Sequence, residues 1–564
     1  MCRCACWILF LLCPLAISLQ AQSPRVEILT SVKHGVTPPL RSFVPYLHAK
    51  PNPPLRVFPL GRPIPPEAKG GKPGPGAGHG GSTWTDPDLI GATGTNNGTL
   101  GSDFPGIVAG CGTSSGCVPA DPNLSVGSTQ IVEIVNVEFE VFNKPKTFGE
   151  TPTVAEPAAP IHTIFAGLGS TDICATTDGG DPIVLWDKYD NRWIISQLAY
   201  NSTLTDDHWC LAISGGTDPA DATDAAGSYD VYDFSFGSNF PDYPKLGIWL
   251  NGSATGAYSG VYFSDNTFAN GNSFIGAQTC AFPLSEVSSP PATTQFKMAC
   301  MQQPSTIYNI LPADTDGSGA GPSGTGGLYL QFQASSGVGS SLVLYQFQPN
   351  FTAGTGSFSR VNTIPVNTYH EACGGSACVP QASTREKLDS LGDRLMYRLA
   401  YRDSATFPDT LFVNQSVQVS SSSNQAGIRW YEIQNATGTP KVIQGTYSPD
   451  TSLYRWMGSI AADQYGDLGL GYSTSNSSTY PGLAFTGRVP GDLPDNALEP
   501  EAPIFTGEGS QTKVNRWGDY SSISVDPSDD CTFWYVNEFL QTTGSYTNWA
   551  TRIASFKVGS RCTN

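Results

Sequence analysis

Two strings in the second half of the chain bring carboxylates, guanidinium groups and indoles close together. One is RWGDYSSISVDPSDDCTFWYVNEF, Arg516 to Phe539; the other is RWMGSIAADQYGDLGLGYS, which starts at Arg455. Arg455, Trp456, Arg516, Trp517 and Asp519 are a first set of candidate ligand contacts, joined by Asp121 in PADPN, Asp181 in GGDPI and Asp242 in FPDYP. Indole faces stack on pyranose rings, and a pair of carboxylates supplies the acid and base of glycoside hydrolysis. Arginine adds bidentate recognition of a sugar carboxylate. These types describe a glycan site. The same aspartates have a structural use, because Asp before Pro or at a strand start accepts hydrogen bonds from nearby backbone N–H groups and fixes a loop. Both uses stay open at this point.

Other chemistries are poorly provided for. DTDGSG begins as a calcium loop does, with Asp314 and Asp316 in its first and third places, but its twelfth place is Thr325 where such a loop carries a bidentate Glu. Ca²⁺ is the one cofactor that these carboxylates, or a ring of channel carboxylates, would suit. His162, His208 and His370 stand at no ligand spacing, and neither a G-x-S-x-G elbow nor an H-E-x-x-H helix occurs.

What must position the candidates is a series of β-hairpins. The spacing Asp-x-x-x-Asp/Asn recurs at Asp187–Asn191, Asp389–Asp393, Asp463–Asp467 and Asp526–Asp530, each time before a run rich in aromatic or branched residues. Asp, Asn and Gly at such points make hairpin turns. Weaker copies turn near Gly127, Asn251 and Asp316. The seven turns at 127, 187, 251, 316, 389, 463 and 526 therefore recur every 60 to 74 residues. An even beat in an all-β chain predicts radial repetition, a single β-propeller of seven blades, with six or eight as neighbouring counts and a pair of stacked sandwiches as the alternative. In a propeller the residues ahead of each innermost strand converge on one face of the channel, which is where the candidates fall; Asp314 and Arg385 would join them from the fourth and fifth blades.

The ends and the cysteines bound the setting. Residues 1–21 read as a secretory signal peptide, with one early cation, an apolar centre and Ala21 near the cut. Residues 22–85 are rich in Pro and Gly and basic, a linker that reads as a tether holding the 100–564 propeller domain off a surface, or as an arm lying on it. Ten of the 14 cysteines lie beyond the signal, an even number that predicts disulfides in an exported chain, with Cys111–Cys117 and Cys373–Cys378 as local pairs. A net charge of −18 excludes the basic footprint that nucleic acid requires, and no later apolar run is long enough to span a membrane.

The strings GDPIVLWDKYDNRWIISQ, FPDYPKLGIW, LGDRLMYRLAYR, GIRWYEI and RWGDYSSISVDPSDDCTFWYVNEF resemble a group of large exported bacterial β-propeller-like proteins. The resemblance covers most of residues 100–564 and implies the same fold and export, without bringing catalytic residues. A looser likeness is to sialidase-type propellers, whose repeated Ser-x-Asp-x-Gly-x-x-Trp turn is matched only distantly by SIAADQYGD. The expectation is a secreted, monomeric propeller that binds a glycan or another extracellular ligand on its channel face. Its rivals are a glycoside hydrolase or lyase acting on acidic polysaccharide, and an adhesion or scaffold protein whose channel is plugged by side chains.

Overall fold

The computed structural model describes residues 25–42, 56–57, 83–95, 98–108 and 117–562, apart from the pairs 217–218, 254–255, 293–294, 405–406, 492–493 and 546–547. The signal peptide, most of the Pro/Gly-rich stretch and Cys111 of the expected Cys111–Cys117 pair lie outside the described residues.

The protein is all-β. Each of the first six beats in the sequence folds as an antiparallel meander of four strands, and the last supplies three strands of a four-stranded sheet. The first runs Asn123–Val126, Gln130–Val135, Glu138–Asn143 and Thr153–Pro160; the second starts at Ile183–Asp187 and the third at Asn239–Trp249. The fourth and fifth start at Leu311–Thr315 and Met396–Arg402, whose parallel pairing joins both meanders into one nine-stranded sheet. The sixth starts at Tyr454–Ala462 and the last at Ser522–Val525. The outer strand of this last sheet is Thr99–Val108, contributed from the N-terminal side of the domain, so the two ends of the chain share one sheet.

Each first strand lies against the first strand of the next sheet, and Ser522–Val525 returns to lie against Asn123–Val126. Polar rungs hold these neighbours. The Val184 and Trp186 N–H groups donate to Asn123 Oδ1 and Ser125 Oγ, both at 2.9 Å, and the Ile248 N–H donates to Asp314 Oδ1 at 3.0 Å. Ser459 Oγ donates to Tyr397 O at 2.9 Å and accepts from the Ile523 N–H at 3.1 Å; Ser522 Oγ donates to Leu124 O at 3.2 Å. The faces between sheets carry the apolar core, with Trp193, Trp209, Trp249, Trp430 and Trp549 fully enclosed.

The Asp-x-x-x-Asp turns are structural where they close hairpins. Asp463 Oδ1 accepts the Tyr465 and Asp467 N–H groups at 2.8 and 2.9 Å, and Asp187 Oδ1 accepts the Tyr189 N–H at 2.9 Å. Asp526 Oδ1 accepts the Ser528 N–H at 2.9 Å while Asp526 Oδ2 takes the Trp534 indole N–H at 3.2 Å. The fourth instance corrects the expectation. Asp389–Asp393 does not separate the first and second strands of a meander; it leads into the innermost strand Met396–Arg402, and the hairpin turn lies beyond it, before Thr410–Ser420. The aromatic run LMYRLAY is equally apt for an innermost strand, so composition alone set the register one strand late.

Part of the stretch expected to be a tether is strand. Glu27–Thr30 pairs antiparallel with Lys297–Gln302 and Lys33–Thr37 with Tyr229–Gly237, adding a fifth strand to the third and second sheets. At its other end Trp84 stacks on His370 with ring centroids 3.6 Å apart, Asp86 pairs with the buried Arg429 at 2.6 Å, and Leu89–Ile90 joins the fifth sheet. EILT and KHGVT are short and β-prone, a local signal that the Pro-rich composition further on concealed.

Among the described residues there are four disulfides, Cys174–Cys210, Cys280–Cys300, Cys373–Cys378 and Cys531–Cys562, the third of them one of the two expected local pairs. Among the described residues no helix is long and apolar enough to cross a membrane.

The docked N-terminal strands cover sheet edges that would otherwise expose unpaired N–H and C=O groups. A mature protein truncated after Ser42 is expected to melt at a lower temperature than the intact one and to self-associate in size-exclusion chromatography. An unchanged melt would show that these strands add nothing to the domain.

Candidate functional site

The residues leading into the innermost strands do converge. Asp121, Asp181, Asn309 and Leu391 precede such a strand, and Tyr243 and Met457 lie at a register break inside one, all six with a left-handed backbone, φ between 44° and 57°. Asp and Asn tolerate this region; Tyr, Leu and Met do so only when their surroundings hold them there. Three of the six are followed by proline, Pro122, Pro182 and Pro244.

These bends gather one buried cluster of charge. The Asp519 N–H donates to Asp121 Oδ1 at 2.6 Å, and Asn136 Nδ2 donates to Asp121 Oδ2 at 2.9 Å. Asn136 Oδ1 accepts the Asp181 N–H at 2.8 Å, and Asp181 Oδ2 accepts the Tyr243 N–H at 3.1 Å. Tyr243 Oη donates to Asp519 O at 3.3 Å, and Tyr520 Oη donates to Pro182 O at 3.2 Å. The Arg516 guanidinium pairs with the Asp519 carboxylate. Lys245, wholly enclosed, holds its ammonium 3.5 Å from the Tyr243 ring centroid and 4.1 Å from that of Tyr520, and the Arg394 guanidinium lies 4.7 Å from the Tyr243 ring centroid. Behind the cluster the Glu538 carboxylate accepts the Gly518 N–H at 3.0 Å and the Ala120 N–H at 3.3 Å.

Burial governs the protons. It pushes the Asp121 carboxyl well above the usual range, an effect that the Asp519 and Asp181 charges reinforce and Arg516 opposes. Asp181 is raised by burial and held back by the Lys245 ammonium. Glu538 is pushed up to about 8 by burial, and Lys245 is lowered by burial to about 8 against the pull of Asp181, Asp121 and Asp519. Arg516 is raised: burial works against its charge, but Asp519 and Asp121 outweigh it.

Among the predicted residues, then, Asp181, Arg516 and Asp519 meet with Asp121, while the others fall elsewhere. Trp456 and Trp517 are fully enclosed with ring centroids 5.8 Å apart, and neither offers a face to a sugar. Arg455 is also buried, fixed by Glu501 at 2.8 and 2.6 Å and by Asp450 at 2.7 Å. Asp242 is buried in the third innermost strand opposite Asn266, and Arg385 is exposed beside the hairpin strand Lys387–Asp389. Asp314 and Asp316 form no calcium loop. Asp314 sits within an innermost strand and Asp316 directly follows it; Arg398 meets Asp314 at 3.1 Å and grips Asp316 with both terminal nitrogens, so a cation there would have to displace a guanidinium. Lys188 Nζ caps this second group on Thr315 O at 2.5 Å. A cavity of about 50 Å³ lies among this second group, walled by Lys188, Tyr189, Asp314, Asp316 and Arg398, with room for a water or two and far too small for a pyranose.

Sequence reasoning missed Lys245, Arg394, Arg398 and Glu538. A usable signal was present: in DYPKLGIW a lone lysine stands inside an otherwise apolar strand, directly after the Tyr-Pro step that parallels Asp121-Pro122 and Asp181-Pro182.

No protein-family model matches the chain, and no curated protein is similar to it in sequence. Solved structures similar to it include a Dyadobacter fermentans protein described as of unknown function, at 9% identity over 83% of this chain and 100% of the other, with a TM-score of 0.32. The Hadza microbial sialidase Hz136 is 10% identical over 75% of this chain and 73% of its own, TM-score 0.33. A polysaccharide lyase, PL25 ulvan lyase, is 10% identical over 83% and 96%, TM-score 0.32. At these identities and scores the likeness assigns no activity.

The titrations give a pH dependence. Glu133 and Glu538 are each raised by burial to about 8, and Glu140 and Asp187 by burial to about 7. Unfolded, these groups titrate near 4, so from roughly pH 4.5 to 8 the folded state holds more protons. Their stabilisation is full below the unfolded values and is lost as pH rises through the folded ones. Lys245, depressed to about 8, acts in the opposite sense only above that pH. The melting temperature is expected to fall steadily between pH 5 and 8 in a calorimetric series; a rise across that window would contradict the burial of these acids as neutral groups.

Proposed function

We propose that the protein is an exported, single β-propeller of seven blades whose channel is a packed axle and whose work is to bind an extracellular ligand, a glycan, on its outer surface. In this reading residues 1–21 direct export, the Pro-rich part of residues 22–85 is a spacer, and residues 100–564 are the propeller. The ring of seven first strands, closed from Ser522–Val525 to Asn123–Val126, supports the blade count.

The observation that carries the reading is the commitment of the channel carboxylates. A glycosidase needs an acid and a base or nucleophile facing an open cleft. Here Asp121 holds a backbone N–H and an amide, Asp181 a backbone N–H, and Asp519 a guanidinium; Asp121 and Asp519 are buried and Asp181 is partly so. A buried ion group of this kind specifies geometry and offers no reactivity. Four disulfides and the interleaved ends of the chain give a rigid body on which outer loops can carry recognition.

Asp519→Ala is therefore expected to strand Arg516 and cost about 3–5 kcal/mol of stability. Glycan-array binding per folded molecule should stay at the wild-type level. Binding lost at unchanged thermal stability would return the site to the channel mouth and overturn the packed-axle reading.

A further inference from the structure

Between the first and last sheets the surface opens into a cleft of about 890 Å³, within the range of sites that hold small organic ligands. Three segments wall it: the turn at 127–129, the loop at 143–148 after the third strand of the first sheet, and the hairpin at 526–532. Lys144 ties them together, since its ammonium donates to Gly127 O at 2.8 Å, Asp526 Oδ1 at 2.6 Å and Ser528 Oγ at 2.8 Å. All three N–H bonds are spent, which makes Lys144 a positioning residue for the walls.

The lining has a definite chemistry. Phe148 is half-buried over Gly101, where any Cβ would lie 2.6 Å from the ring carbons, and the Lys557 ammonium stands 5.0 Å from its centroid. The aromatic ring is thus seated by a glycine and a cation. Around it stand the hydroxyls of Ser128, Thr129, Thr147 and Ser528 and the half-exposed Asp529 carboxylate. Asp529 Oδ1 accepts the Cys531 and Thr532 N–H groups at 3.0 and 2.9 Å. Its Oδ2 accepts the Thr532 hydroxyl at 2.6 Å and meets Lys557 at 3.6 Å, and the remaining lone pairs face the cleft. Each lining aspartate has a lysine partner, Asp526 with Lys144 and Asp529 with Lys557, so Lys146 at the rim is the sole unbalanced charge of the lining. A phosphate or sulfate site would need a concentration of positive charge that is not assembled here. A charge-balanced, hydroxyl-rich pocket with one aromatic plane instead suits vicinal diols: carboxylate and ammonium groups take adjacent hydroxyls, and the ring takes the apolar face of a sugar.

We propose that this cleft is the glycan site, and that it takes a neutral saccharide through Phe148, Asp529 and the flanking hydroxyls. The proposal rests on the binding function proposed above and gives it a location and a ligand class.

The test uses the full mature chain with neutral gluco-, galacto- and xylo-oligosaccharides as probes and an oligouronate as the acidic arm, read by titration calorimetry. At least one neutral probe should bind, and Phe148→Ala should weaken it about tenfold with the melting temperature unchanged. Thr129→Trp, at an exposed turn, trades one lining hydroxyl for a bulky ring that fills the cleft, so it should abolish binding even where Phe148→Ala fails to fold. Neutral-probe binding that survives both variants overturns this site and leaves a glycan-binding function elsewhere on the surface. Binding of the oligouronate alone overturns the neutral class, and no binding by any probe overturns the glycan function itself together with the site.

Discussion

Between the last sheet and the first, the Asp519 amide donates to the Asp121 carboxylate, and one step behind it Glu538 gathers the amides of Gly518 and Ala120. The rest of the architecture depends on this closure. A ring of sheets has no edge only if its two ends meet, and these ends are almost 400 residues apart in sequence. The chain closes the ring twice, once at the rim, where Thr99–Val108 completes the last sheet, and once at the axis, where buried carboxylates accept amides from the opposite end of the domain. Rim pairing supplies backbone hydrogen bonds; the axial bonds set the angle at which the first and last sheets face one another.

Bringing so many carboxylates to one axis has an electrostatic consequence. Asp121, Asp181 and Asp519 cannot all be ionised and buried without counter-charge, and the fold supplies it as Lys245 and Arg394 from two other sheets and as Arg516 from Asp519's own lead-in segment. The same solution recurs further along the axis, where Arg398 and Lys188 answer Asp314 and Asp316. Asp121 and Asp181 each accept a backbone amide, and Asp519 pairs with Arg516. Buried carboxylates and their cations hold the axis together, while hydroxyls and paired charges reach solvent in the cleft between the first and last sheets.

Much of the fold was legible because turn chemistry is local. Asp187, Asp463 and Asp526 are legible as turn residues since a carboxylate two residues ahead of an amide makes the same bond in any context. Asp389 misled for that same reason: its carboxylate accepts the Leu391 N–H at 3.0 Å as a hairpin aspartate would, although the bend serves a lead-in and not a hairpin. The convergence of Asp181, Arg516 and Asp519 followed from the repeat, but their burial did not. Whether a strand start faces solvent or a counter-charge depends on residues more than 60 positions away, such as Lys245 for Asp181 and Asp121 for Asp519. Trp456 and Trp517 show the limit most plainly: an Arg-Trp step reads alike for a stacking platform and for a core pair, and only the packing of Trp517 against the sixth sheet, with its indole N–H on Ser473 Oγ at 3.1 Å, decides.

The central claim is that the two ends of the domain are locked at the axis through the buried Asp121 and Glu538 carboxylates. Native-state hydrogen exchange resolved to the amides of Ala120, Gly518 and Asp519 tests it most directly, since all three donate to buried carboxylates. The account predicts that these amides exchange only with global unfolding, alongside the core strands. Exchange as fast as that of the surface loops would contradict it, because the mouth would then be open to water and its carboxylates available to a ligand.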